Sequence, residues 1–218
     1  MSRILTPQLG RRHLIGGLAA VTAVGALPGL SALAQARLVA TPRQTEGPFY
    51  PVEWSGDIDS DLVMVKGEAA QAMGQIAHVM GRVLDADGAP IAGAMVEIWQ
   101  CDNNGHYRHP SDRNATRDAA FQGRGRATSG TDGRYSFRTI RPVAYPGRTP
   151  HIHFAIDAPK RQRLITQMYV AGEPQNARDG VLQAIRDARQ RDSVIVKLEP
   201  AERLEAKALA GTFDIVLG

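Results

Sequence analysis

A single cysteine, Cys101, is all the thiol this 218-residue chain has. No internal disulfide can form, so the fold must be held by its core and by whatever it binds. Aromatic residues are scarce too, at 6%, so the places where several rings fall close together carry information. An excess of one charge is missing as well. Of 26 basic and 22 acidic residues, Arg3, Arg11 and Arg12 and no acid fall in residues 1–36, which leaves 23 bases against 22 acids beyond them. That balance is no footprint for nucleic acid. Nor is there a long unbroken apolar run: the stretch at 15–33 is mild and interrupted by Gly16, Gly17, Gly25 and Pro28, which argues against a stable membrane span.

What the chain does have is glycine and proline, 22 and 13 residues, the composition of a turn-rich β architecture. Its length suits one domain with a real core. Residues 1–36 read as an export signal, with a basic region ending in Arg11 and Arg12, an apolar run, and Ala-x-Ala sites that place cleavage after Ala34 or Ala36. Adjacent arginines ahead of a Gly/Ala-rich run point to the twin-arginine route rather than an ordinary secretory signal or a retained anchor. The mature protein is then periplasmic or secreted. Residues 37–76 carry too much proline and glycine for a helix or a central strand. Because Phe49, Tyr50 and Trp54 need somewhere to bury, this segment reads as an arm that covers the domain at 77–218, not as a linker.

From 76 onward, alternating apolar positions and tight turns predict strands at 76–84, 94–100, 134–140, 151–156, 164–170, 193–198 and 212–217. The pattern is that of an all-β, antiparallel β-sandwich. Helical spacing at Val181, Leu182 and Ile185 predicts a helix over 177–191, with a second candidate at 200–210. Between the second and third of these strands lies a long loop, residues 102–131, of the kind that is usually functional. Cys101, at a strand end, reads as a packing residue rather than a nucleophile.

The stretch 145–156 gathers a phenol, a guanidinium and two imidazoles. Pro150 excludes a helix there, and in a strand His151 and His153 share one face with their Cα atoms about 6.6 Å apart, within reach of one ion. Taken alone, the pair is also compatible with a half-exposed polar face. Tyr145 alone suits a packing role, Arg148 a surface ion pair, and Gln167 a partner for backbone groups.

The run 79–107 narrows these choices. Its first half, with Gly81, Val83, Asp85, Gly88, Pro90, Ile91, Gly93 and Ala94, occurs in many non-enzymatic β-sandwich modules. Its extension through Glu97, Trp99, Gln100, Gly105 and Tyr107 is specific and resembles the intradiol ring-cleavage dioxygenase family, in particular its protocatechuate branch. Tyr135–Ile140, Tyr145-Pro146, the His151-x-His153 pair and the segment holding Leu164, Gln167 and Tyr169 follow in the family's order, so the resemblance covers roughly 41–217. It implies a non-haem Fe(III) held by Tyr107, Tyr145, His151 and His153. It also implies catalytic roles for Arg148, Tyr145 and Gln167, and a substrate pocket bordered by Thr45, Gly47, Pro48 and Arg148. The activity implied is insertion of both atoms of O₂ into a protocatechuate-like catechol, cleaved between its hydroxylated carbons to a cis,cis-muconate.

The donor set suits that metal. Phenolate oxygen is a hard, anionic ligand that a trivalent ion can hold deprotonated, whereas zinc more often chooses His or Cys. One departure concerns specificity: five residues separate Tyr145 from His151, where the protocatechuate branch has a longer, Trp-containing loop. The pocket wall is altered, which puts recognition of a ring carboxylate in doubt. Arm and ligands lie in one chain, which fits a self-sufficient protein or a homo-oligomer. The competing expectation is a non-catalytic β-sandwich module that binds carbohydrate, polyphenol or catechol-type ligands.

Overall fold

β1 (Ile76–Asp85) organises the first of two five-stranded sheets in the computed structural model, which describes residues 37–112 and 116–218. The export segment read at 1–36 lies outside the described residues. The numbering continues through β2 (Met95–Trp99), β3 (Arg124–Thr128), β4 (Arg134–Ile140), β5 (His151–Asp157), β6 (Leu164–Val170), β7 (Ile195–Val196), β8 (Glu199–Pro200), β9 (Leu209–Thr212) and β10 (Ile215–Leu217). β4 pairs antiparallel with β1 over Ile76 to Arg82. Ala77 to Met80 also pair with β9 in parallel, so β9 takes the opposite edge, and β10 follows it along Val83 to Asp85. The offset is unchanged, with Met80 opposite Thr212 and Val83 opposite Ile215. β9 and β10 are therefore one strand interrupted at Phe213 and Asp214, where the Asp214 carboxylate accepts the Arg82 N–H at 2.8 Å. The crossing is closest at Gly81: a Cβ there would lie 1.9 Å from the Phe213 carbonyl oxygen, so only glycine fits.

The second sheet runs β3-β2-β5-β6-β7. Its inner face presents Val96, Ile98, Ile152, Phe154, Ile156 and Met168 to Val79, Val83, Tyr135 and Phe137 of the first, all in one buried cluster. Each fully buried side chain of this size contributes roughly 1.5–3 kcal/mol. Its outer face is buried as well, which is why β5 and β6 show almost no alternation of exposure. The cover is the arm. Gln44 N–H donates to the Ile165 carbonyl of β6 at 2.8 Å and Phe49 and Tyr50 pack against Trp99, Ala155 and Ile165, while Thr41 N–H ties the arm to the first sheet at the Val216 carbonyl of β10, 3.0 Å away. Further on, Arg126 N–H reaches the Ile58 carbonyl and Arg138 N–H the Ser60 carbonyl, each at 2.8 Å. Among the described residues, no helix is long and apolar enough to cross a membrane.

The structure is a β-sandwich of two mixed sheets, since β1 pairs in parallel with β9 and β10, and β6 with β7. Several local expectations are corrected. The long loop contains β3, whose alternation is weak because it pairs on the edge of β2 with arginines at alternate positions. The helix expected over 177–191 is three short pieces: a 3-10 turn (Pro174–Arg178), α1 (Gly180–Gln183) and α2 (Ala188–Ser193). Asp179 and Asp187 each cap a new start with their side chains. No helix forms at 200–210: 209–210 are taken by β9 against β1, and Lys207 holds a positive φ of 61°. The strand expected at 193–198 shrinks to β7.

Candidate metal centre

β5 carries His151 and His153 on the outer face of the second sheet, where register puts His153 opposite Trp99 of β2 and Gln167 of β6, and His151 opposite Tyr169. Both rings are buried, at 1% and 2% exposure. The Trp99 indole stacks on His153 with centroids 4.8 Å apart and 11° between planes. The backbone of Gly47 also approaches this ring: a Cβ there would lie 3.3 Å from His153 Cε1.

The loop after β2 delivers Tyr107. Asp102 folds that loop, its carboxylate accepting the N–H groups of Asn104, His106 and Asp118 at 2.9, 3.0 and 2.6 Å. Phe49 of the arm stacks on the Tyr107 ring at 4.6 Å. Tyr107 Oη thereby stands 3.5 Å from His151 Nε2, which is itself 3.1 Å from His153 Nε2. Tyr145 joins from the short turn before β5, its ring 5.7 Å from that of Tyr107 and 5.5 Å from that of His151. The turn is closed by Arg148 N–H donating to the Tyr145 carbonyl at 2.9 Å. The four residues expected to ligate a metal are thus brought together from two loops and one strand.

The chemistry of this cluster fits a ferric ion. His151 Nδ1–H donates to the Thr149 carbonyl at 2.7 Å, which leaves the Nε2 lone pair facing Tyr107 and His153. Burial first, then the nearby Arg148 charge, lowers the His151 pKa to about 4. Burial first, then the His151 and Arg148 charges, holds His153 well below the usual imidazole range. Both imidazoles are therefore neutral near pH 7, the form that binds metals. His153 Nδ1 is buried without a hydrogen-bond partner. The phenols face the opposite problem: burial above all raises both Tyr107 and Tyr145, so an empty pocket favours protonated rings, and a cation of high charge reverses that preference.

Arg148 borders the cluster. Its Nη1 lies 3.5 Å from Tyr145 Oη, its Nη2 donates to Gln167 Oε1 at 2.6 Å, and its Nε donates to Asp179 Oδ2 at 2.8 Å. Burial alone lowers its pKa, but the Asp179 hydrogen bond and charge outweigh that and leave it raised, so the charge is fixed. Gln167 then links sheet to arm, donating through Nε2 to the Thr45 carbonyl at 3.0 Å. Of the arm residues expected at the pocket, Thr45 and Gly47 meet the site directly, while Pro48 is exposed beside them. A cavity of about 760 Å³ opens next to this corner, lined in part by Gln44, Thr45, Gly180 and Val181. Cys101 is buried in the same cluster as Tyr107, with its thiol pKa pushed up to about 12 by burial and then by the Asp102 charge, a packing residue as expected.

Two carboxylates that the sequence reading left without a role stand behind the site. Glu97, 1% exposed, accepts from Tyr50 Oη at 2.8 Å, from Arg126 at 2.6 Å and from Arg163 at 2.9 Å. It ties the arm down beside Trp99. Asp179 holds Arg148. The signal for Glu97 was its place in the specific half of the 79–107 run; for Asp179, hidden in an expected helix, only its capping chemistry could have marked it.

Comparison with known proteins gives the family of the chain. A family model described as Dioxygenase matches residues 45–218. The chain is 38% identical over 184 residues to the protocatechuate 3,4-dioxygenase beta chain of Burkholderia cepacia, covering 80% of this chain and 78% of that protein. It is 35% identical over 162 residues to hydroxyquinol 1,2-dioxygenase of Nocardioides simplex, covering 65% of this chain but only 51% of that protein. Among solved structures, the dioxygenase domain of a dioxygenase and carbohydrate-binding protein fusion from Streptomyces sp. SirexAA-E superposes with a TM-score of 0.64 at 32% identity. That match covers 82% of this chain and 98% of the other. The fold and these matches define a β-sandwich dioxygenase. The chain belongs to the intradiol ring-cleavage dioxygenase family.

Proposed function

We propose that this protein opens a protocatechuate-like catechol between its two hydroxylated carbons, using a ferric ion held by Tyr107, Tyr145, His151 and His153. The observation that carries the reading is the convergence of Tyr107 Oη and His153 Nε2 on His151 Nε2, at 3.5 and 3.1 Å, in a buried pocket of neutral imidazoles. Tyr107, Tyr145, His151 and His153 would hold that ion, which would supply Lewis acidity toward a catechol and make the ring more reactive toward O₂.

The chain's own residues supply the rest. Tyr145, whose pKa burial raises despite the nearby Arg148 charge, can take a catechol proton at Oη. Arg148 stabilises negative charge that develops on the ring, with its guanidinium aimed by Asp179 and Gln167. Glycine at 47 leaves open the space against His153 that a side chain would fill. Thr45 and Gly47 border the substrate, with Pro48 next to them on the exposed side, and the arm excludes water through Phe49 and Tyr50. Protocatechuate is favoured as the substrate type because the relative of that name matches over 78% of its length, whereas the hydroxyquinol relative matches over about half.

The purified protein is expected to show a visible tyrosinate-to-Fe(III) band that shifts when a catechol is added, and Tyr107→Phe to lose it. Oxygen uptake and product mass with protocatechuate, catechol and hydroxyquinol in ¹⁸O₂ would show two labelled atoms and the site of cleavage. A fully iron-loaded protein without colour, or one that binds catechols without consuming O₂, would overturn the proposal. Export by the twin-arginine route belongs to the same proposal. Changing Arg11 and Arg12 to lysines is expected to keep the protein in the cytoplasmic fraction.

A further inference from the structure

Asp179, 2% exposed, caps α1 with Oδ1, which accepts the N–H groups of Val181 and Leu182 at 3.0 and 2.9 Å. A serine or asparagine would do that as well. α1 is only four residues long, too little to explain a carboxylate withdrawn from water, which is costly unless paired. The second oxygen explains it. Oδ2 accepts from Arg148 Nε at 2.8 Å and from Thr149 N–H at 3.0 Å.

Those two bonds lead to two different parts of the site. Through Arg148 the carboxylate orients the guanidinium, with Nε committed to Asp179, Nη2 to Gln167, and Nη1 left toward the Tyr145 phenol. Through Thr149 it fixes the backbone whose carbonyl accepts His151 Nδ1–H at 2.7 Å and so selects the tautomer with Nε2 free. Asn176 braces the same residue, its Oδ1 accepting from Thr149 Oγ1 at 2.7 Å.

We propose that Asp179 is a positioning residue that sets Arg148 and His151 together, so that the substrate-facing cation and the ligand tautomer are fixed by one buried carboxylate. The inference rests on the ring-cleavage reading above. It predicts that Asp179→Asn, which keeps the cap but loses charge and an acceptor, uncouples Arg148 without emptying the pocket.

Two measurements test it. In NMR of the metal-free protein, the Arg148 Nε–H signal, assigned by its loss in Arg148→Gln, is expected to exchange slowly with solvent. In Asp179→Asn it is expected to exchange at least about 10-fold faster, because the buried acceptor is weakened. In the iron-loaded enzyme, Asp179→Asn is expected to retain the metal while kcat falls about 10–100-fold, with KM moved less. In an Arg148→Gln background the same change should cost clearly less than in the wild type, the part that remains being the one that runs through Thr149 to His151. Asp179→Glu should recover part of kcat. An unchanged Arg148 Nε–H signal, or losses that multiply fully in the double variant, would overturn the proposal. If Asp179→Asn does not fold, Asp179→Glu carries both measurements, its longer side chain being expected to speed Arg148 exchange and lower kcat. If the wild type turns over no catechol, the ring-cleavage reading fails and the NMR measurement alone decides the role of Asp179.

Discussion

The backbone of Gly47 rests against the imidazole of His153, so closely that a Cβ at 47 would lie 3.3 Å from His153 Cε1, and its φ is +75°. An arm without regular structure therefore forms one wall of the candidate metal centre. Gly47→Ala is expected to cost about 1–2 kcal/mol through its backbone conformation and to weaken iron retention about 10-fold by displacing His153. A chelator-competition series alongside urea denaturation checks both; unchanged iron retention would mean that the ring tolerates the displacement.

Glu97 holds the arm through Tyr50, Arg126 and Arg163. Its replacement by alanine leaves two guanidinium groups facing a buried void. Both are about a third exposed, at 30% and 38%, so the loss should be about 2 kcal/mol, below the ~3–5 kcal/mol of a fully buried pair. Limited proteolysis should then cut within the arm faster than in the wild type.

Metal-free protein should become less stable as the solution is acidified. An imidazole in the unfolded chain takes a proton near pH 6.5, whereas His151 in the fold does so only near pH 4, and burial lowers His153 as well. The unfolded state therefore binds more protons inside this window, so stability is full above about pH 6.5 and falls toward pH 4. Urea midpoints measured across that range should show the slope, and His151→Gln should flatten it.

Cys101, with its pKa at about 12 and the residue buried, should resist alkylation at pH 8 while the protein is folded. Mass spectrometry is expected to show stoichiometric labelling only after denaturation. Rapid labelling of the native protein would place the thiol outside the packed cluster it shares with Trp99 and Tyr107.

The strands at 134–140 and 164–170 lie where alternation and apolar runs put them, because their burial depends on their own sequence and one packed face. β3 was missed because its pattern, from Arg124 to Thr128, follows its place at the edge of β2 rather than any apolar period. The split of 177–191 into capped pieces came from Asp179 and Asp187, whose side chains compete for backbone N–H groups. β9 takes the last two positions of the candidate helix at 200–210, since β1 offers a free edge along Ala77 to Met80. Pairing energy there overrides local preference.

By itself the sequence determined the chemistry: two phenols, two imidazoles and a guanidinium, with the His-x-His spacing that puts both rings on one strand face. A period of two is a local property and needs no fold to enforce it. Tertiary structure alone decided that Tyr107 reaches His151, that an arm glycine walls His153, and that Asp179 and Glu97 brace the site from distant segments. Those contacts depend on how loops close across the sheet, and no short stretch of residues encodes that closure.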